Sequence, residues 1–137
     1  MTKRNKSCLE KMGEMKYVDA TFLRANPDCV FVFGDNLARR GKGGAAALRD
    51  EPNTYGFITK KQPLNTDSAF YRPDEYKEIY KNEVEKLLNE IFDNPDKGYL
   101  ISKIGAGLAN RFGIFEEIIE PNLKRDLDDF HNVAFLW

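Results

Sequence analysis

The chain has 137 residues, 42% of them hydrophobic and 31% charged, with ten Phe, six Tyr and one Trp. That aromatic supply excludes a disordered chain, and the length sets one compact domain able to bury roughly 65–70% of its unfolded surface without disulfides or metals. The 21 basic and 22 acidic side chains leave a net charge of -1, which speaks against a generally basic nucleic-acid binder, and no apolar run reaches the ~18–20 residues of a bilayer span.

Residues 1–16 read as a polar, flexible segment, frayed or a short helix, ahead of a single domain over 17–137. The start is basic but lacks an apolar stretch of ~7–15 residues, so it does not read as a secretory signal, and the expected compartment is the cytoplasm. Cys8 reads as a free thiol in that mobile segment and Cys29 as a small buried hydrophobe. Neither belongs to a CxxC pair, the single histidine His131 stands far downstream as a packing or capping residue, and no zinc site or cofactor motif is formed.

Val18 to Asn26 carries apolar residues at helical spacing, with Asp19 and Thr21 as caps, and Pro27-Asp28 marks a turn. Cys29 to Phe33 is a continuous apolar run that reads as a fully buried strand ending at Gly34-Asp35-Asn36. Gly43 to Arg49 opens a short helix, Tyr55 to Thr59 forms a strand, and Lys60 to Pro73 is a long surface loop. Next comes the clearest helix, from Pro73 to Phe92, its apolar stripe interrupted only by Glu83. A strand over Tyr99 to Ile104, a helix over Phe115 to Phe130 broken or restarted at Pro121, and a strand over Val133 to Trp137 complete the chain. Alternation of this kind predicts an α/β fold with helices on both sides of a largely parallel or mixed central sheet.

Two glycine-rich turns follow buried strands: Gly34-Asp35-Asn36 through Arg39-Arg40-Gly41-Lys42-Gly43-Gly44-Ala45, and Ile104-Gly105-Ala106-Gly107-Leu108. Ligands of open α/β sheets bind beyond the carboxyl ends of the strands, where glycines let backbone N–H groups approach an anion. The first turn is neither a Walker loop, because alanines follow Gly44, nor a GxGxxG fingerprint. It is a bare structural turn or half of a cradle for a diphosphate. Asp35 can accept from an adenine amino group or a ribose hydroxyl, and Asn36 can donate and accept toward a ribose. Alternatively both only cap the turn. Arg39, Arg40 and Lys42 either neutralise phosphates or form a solvated loop.

On these residues, FVFGDNLARRGKGGAAA and ISKIGAGLA, the chain resembles a group of phage and bacterial proteins with FVFGSNLAGxHGxGAA and IGCGLAG signatures, a group similar in turn to macro domains. The resemblance runs from about Val30 to Trp137. It implies a three-layer α/β/α module that binds ADP-ribose or a related NAD-derived nucleotide, in the host cytoplasm if phage-encoded. Asp35 and Asn36 would face the ribose or adenine as the catalytic pair, were hydrolysis to occur. The ligand contacts would be Gly34, Leu37, Arg40, Gly41, Gly43, Gly44 and Ala45 from the first turn, with Ile104, Gly105, Ala106, Gly107 and Leu108 from the second. The group's Ser, His and Cys are replaced here by Asp35, Arg40 and Ala106, and no NAAN segment is present.

Binding without turnover and ADP-ribosyl hydrolysis both stay open. A phage-type interaction protein that inhibits a host factor or sequesters a signalling nucleotide is the alternative, with Phe70, Tyr71, Tyr76 and Tyr80 beside Arg72 as its surface, unless they are helix core. Single-stranded nucleic acid held by Arg39, Arg40, Lys42, Lys60 and Lys61 is disfavoured by the near-zero net charge. No membrane partner is expected.

Overall fold

The structure is a computed structural model that describes residues 7–14 and 17–137. Four parallel strands form its sheet: β1 (Cys29–Asn36), β2 (Thr54–Lys60), β3 (Gly98–Ile101) and β4 (Val133–Phe135), in the spatial order β2-β1-β3-β4. The fold is α/β. β1 and β3 are the inner strands because their residues are apolar on both faces. Val30, Val32, Tyr99 and Ile101 point to one side, whereas Phe31, Phe33 and Leu100 point to the other. No helix among the described residues is long and apolar enough to cross a membrane.

The first face packs on helix α3 (Pro73–Asp93) through Tyr76, Tyr80, Val84, Leu87 and Ile91. Glu83, the one polar residue of that stripe, has a structural explanation. β2 is an edge strand, and its Ile58 N–H donates to Glu83 Oε1 at 2.6 Å, while the Tyr76 hydroxyl donates to the Ile58 carbonyl at 2.5 Å. The helix thus satisfies backbone groups that a bare edge would leave open. Farther along, residues Phe115–Ile119 form a π turn leading into helix α4 (Glu120–Asp126). Pro121 has no N–H to offer the preceding turn, and the widened turn sits at that point.

The second face is covered by helix α1 (Cys8–Lys11), the short turn Met12–Glu14 and helix α2 (Ala20–Ala25), whose N-cap Asp19 accepts from Phe22 N. Here the structure corrects the sequence reading. Of the two readings of the first sixteen residues, Cys8–Lys11 takes the short helix, with Cys8 and Met12 buried in the core; residues 1–6, 15 and 16 lie outside the described residues. Cys8 and Cys29 are joined as a disulfide with their Cα atoms 5.3 Å apart, so Cys8 is no free thiol. The pairing was invisible because the partners are 21 residues apart in dissimilar sequence.

Other boundaries move as well. β1 runs on through Asn36, so Asp35 and Asn36 end the strand instead of following it. β3 stops at Ile101, β4 at Phe135 and α4 at Asp126. Phe70, Tyr71, Tyr76 and Tyr80 are all buried, which removes them as an exposed docking surface. His131 is exposed.

Candidate functional site

The chain leaves β1 for β2 on one side, and its later return places β3 on the other side of β1. The segments that follow β1 and β3 therefore diverge, and a crevice opens at the carboxyl ends of these two strands. A hollow of about 670 Å³ lies there, within the range of small-molecule sites. Its walls are the first glycine loop, the second glycine loop and the end of β2.

The two loops come together. A side-chain carbon placed on Gly34 would lie 3.6 Å from Gly105 N, and one on Gly43 would lie 2.7 Å from Leu108 Cδ1. Gly44 and Gly105 adopt left-handed φ values of 59° and 80°, which other L residues adopt only at a cost. In the first loop Arg39 N donates to Asn36 O and Ala46 N donates to Gly43 O. Among the described residues, the N–H groups of Gly43, Gly44 and Ala45 have no hydrogen-bond partner in the protein, and the same holds for Gly105, Gly107 and Leu108.

A bulge ends the pairing of β1 with β2: Asp35 stands opposite Ile58, but Asn36 stands opposite Lys60. Such a bulge re-aims the side chains beside it. Asn36 is 7% exposed; its Nδ2 donates to Arg40 O at 2.7 Å, which fixes the amide's orientation. Its Oδ1 is the one buried side-chain polar atom among the described residues that lacks a partner. A buried acceptor left in this state is costly unless something binds it.

Asp35 behaves differently. Its side chain is 3% exposed and accepts from Arg49 Nη2 at 2.6 Å, Arg39 Nη1 at 3.2 Å and Asn36 N at 2.8 Å. Gly56 on β2 leaves room for this carboxylate, since a side chain there would collide with it. Asp35 is thus held by two guanidinium groups of its own chain at the wall of the hollow.

The lining carries five cationic side chains (Arg40, Lys42, Arg49, Lys60 and Lys103) against the single carboxylate of Asp35. Lys42 pairs with Asp50 outside the hollow and holds that carboxyl below its usual range, chiefly through their hydrogen bond. Lys60 lies over the Phe70 ring at 4.5 Å; burial, then the nearby Arg111, pushes its ammonium below the usual lysine range. The net lining charge favours an anion.

Of the residues expected to contact a ligand, Gly34, Arg40, Gly41, Gly43, Gly44, Ala45, Ile104, Gly105, Gly107 and Leu108 line the hollow, with Asp35 and Asn36. Leu37 and Ala106 do not: Leu37 projects outward, 58% exposed, and Ala106 packs against the core. The sequence reading missed Arg49, Thr59, Ser102 and Lys103. Arg49 had a signal, because a carboxylate at the end of a buried strand needs a cation nearby.

A second hollow of about 370 Å³ adjoins the first, sharing Gly44, Ala45, Ser102 and Lys103 with it. Its other walls include Tyr17, Val18, Asp19, Phe31, Leu48 and Leu136, so it is the more apolar of the two.

The chain belongs to a family of unknown function (DUF7831), whose model matches residues 14–112, a stretch containing both glycine loops. No curated protein and no solved structure is found to be similar to it.

Proposed function

We propose that the paired hollows bind a nucleoside diphosphate of the ADP-ribose class, with the diphosphate between the two glycine loops. The observation that carries this reading is the contact between the loops themselves, Gly34 against Gly105 and Gly43 against Leu108. Unpartnered N–H groups on both sides, with a cationic lining, suit two bridged phosphates better than one isolated anion. The buried Asn36 Oδ1 accepts from a ribose hydroxyl. The adjoining apolar hollow takes the base.

Binding is the activity proposed. Hydrolysis requires a proton acceptor at the sugar, and the carboxylate of Asp35 is already engaged by three donors. The phage and bacterial group that the glycine motifs resemble, itself similar to macro domains, points to the same ligand class. This reading keeps the protein in the cytoplasm, or the host cytoplasm for a phage-encoded chain, where NAD-derived nucleotides are made. There the Cys8–Cys29 bond is shut away from thiol reductants, both cysteines being fully buried.

Calorimetric titration with ADP-ribose, NAD, ATP and a cyclic dinucleotide tests the proposal. A saturable one-to-one signal is expected with ADP-ribose, with only a shallow dependence on added salt. No heat with any of the four at millimolar concentration would overturn it; a steep salt dependence would point to a polyanion instead.

A further inference from the structure

We infer that Arg49 is a positioning residue that holds the first glycine loop in its anion-accepting shape by bonding Asp35 and the Gly41 carbonyl at once. The inference rests on the anion-binding reading above and names what builds that site. Arg49 follows the 3₁₀ turn Gly44–Leu48, and its side chain is 14% exposed. Nε donates to Gly41 O at 2.8 Å, Nη2 donates to Asp35 Oδ1 at 2.6 Å, and the guanidinium lies 5.3 Å from the centre of the Phe33 ring. One side chain thus ties the loop to two residues of β1.

The loop needs such a tie. Gly41 and Gly44 both have positive φ, and glycine segments have many competing conformations of similar energy. Among the described residues, no backbone hydrogen bond is donated by residues 40–45. The second loop holds itself by backbone turns, with Ala106 N donating to Lys103 O and Asn110 N donating to Gly107 O. The first has a backbone turn at each end as well, Arg39 N to Asn36 O and Ala46 N to Gly43 O, and between them the stretch 40–45 is held by side chains: Asn36 on the Arg40 carbonyl, Arg49 on the Gly41 carbonyl. Both carbonyls are thereby engaged by donors, whereas carbonyl oxygens turned toward the hollow would repel an anion. Arg49, with Arg39 outside the hollow, also offsets the Asp35 charge that would otherwise repel an anion at the wall.

The chemistry distinguishes geometry from charge. A guanidinium makes two divergent, directed bonds, whereas an ammonium of equal charge acts as a point. Arg49→Lys therefore retains the charge and loses the tie. We would measure ADP-ribose affinity by calorimetry and, in the ligand-free protein, 15N order parameters of the amides of residues 40–45. Binding at least tenfold weaker is expected. Order parameters at 40–45 should fall from the rigid range near 0.85 to below about 0.6, with those of 104–109 unchanged. Wild-type affinity together with wild-type order parameters would overturn the inference. Weaker binding with an unchanged loop would also overturn it, by showing that Arg49 acts as a direct contact. Should Arg49→Lys fail to fold, Asp35→Asn removes the charged anchor at constant shape; the same loosening is expected, and its absence counts equally against the inference. If the wild-type protein binds none of the nucleotides, the anion reading falls, while the order parameters still decide whether Arg49 holds the loop.

Discussion

At the amino ends of the strands, asparagine side chains satisfy backbone carbonyls, whereas at the carboxyl end of β1 an asparagine keeps its own side-chain oxygen unpartnered. Asn53, just before β2, donates through Nδ2 to the carbonyls of Leu23, Asn26 and Cys29 at 2.9, 3.2 and 2.9 Å. Asn132, just before β4, donates to Lys97 O at 3.0 Å and Asn94 O at 3.4 Å. Asn26, before β1, accepts from Lys11 and donates to Phe22 O. Gly98 at the start of β3 has no room for a side chain, because Cys8 Sγ and Met12 Sδ stand 2.6 and 2.8 Å from where its first carbon would be. Asn36, at the other end, has a buried oxygen facing no partner. Strand ends always leave polar groups to be satisfied. One end of this sheet meets that need with asparagine side chains, and the other borders a hollow. Substitutions at the amino end should therefore change stability, and those at the carboxyl end affinity.

The largest effect expected is at Gly107, which lines the hollow and has nothing within 4 Å of a side-chain position. Gly107→Glu sets a carboxylate among the phosphate positions without steric conflict. Affinity for ADP-ribose should fall at least a hundredfold, about 3 kcal/mol, with the thermal unfolding midpoint unchanged. Gly44→Glu is the poorer probe, because the left-handed φ there adds backbone strain to any loss of binding.

Exchanging the two asparagines sharpens the contrast. Asn53→Ala abandons three carbonyls and should cost about 2 kcal/mol of stability in denaturant unfolding while leaving affinity alone. Asn36→Ala should cost about 1 kcal/mol of stability, for its one bond to Arg40 O, and weaken binding about tenfold. Equal effects of both variants on affinity would break the division between the ends.

A smaller effect concerns the face covered by α3. Burial raises Tyr55 to about 12, with Glu83 adding to it, and also raises Tyr76, Tyr80 and Tyr99 well above the usual phenol range. These phenols stay protonated in the fold but ionise near pH 10 once unfolded. Their contribution to stability is whole below about pH 10 and is lost as pH rises from there through 12 and above. Denaturant midpoints measured from pH 8 to 12 should hold steady and then drop, without a matching step in the neutral range.

Much of this arrangement was legible in the residues. Cys29 to Phe33 had to be an inner strand because no polar position interrupts it, and the stripe from Tyr76 to Ile91 had to face a core. The two glycine turns were placed at strand ends by the same logic, and the structure brings them into contact. What remained hidden depends on contacts far apart in sequence. Nothing local pairs Cys8 with Cys29. Asp35 read as a ribose or adenine contact or a turn cap because its partner Arg49 lies 14 residues on, at the end of what read as a short helix. Glu83 looked like a blemish in an apolar stripe until β2 proved to be an edge strand needing an acceptor at Ile58. Leu37 and Ala106 came by position from the resemblance, but neighbours in a turn point in different directions.

The most direct test of the account is a map of backbone amide shifts as ADP-ribose is added. It predicts saturating changes concentrated at Gly43, Gly44 and Ala45 together with Gly105, Gly107 and Leu108, both groups moving along one binding curve. Changes confined to a single loop, or lying instead along α3 or around Asn53, would contradict it.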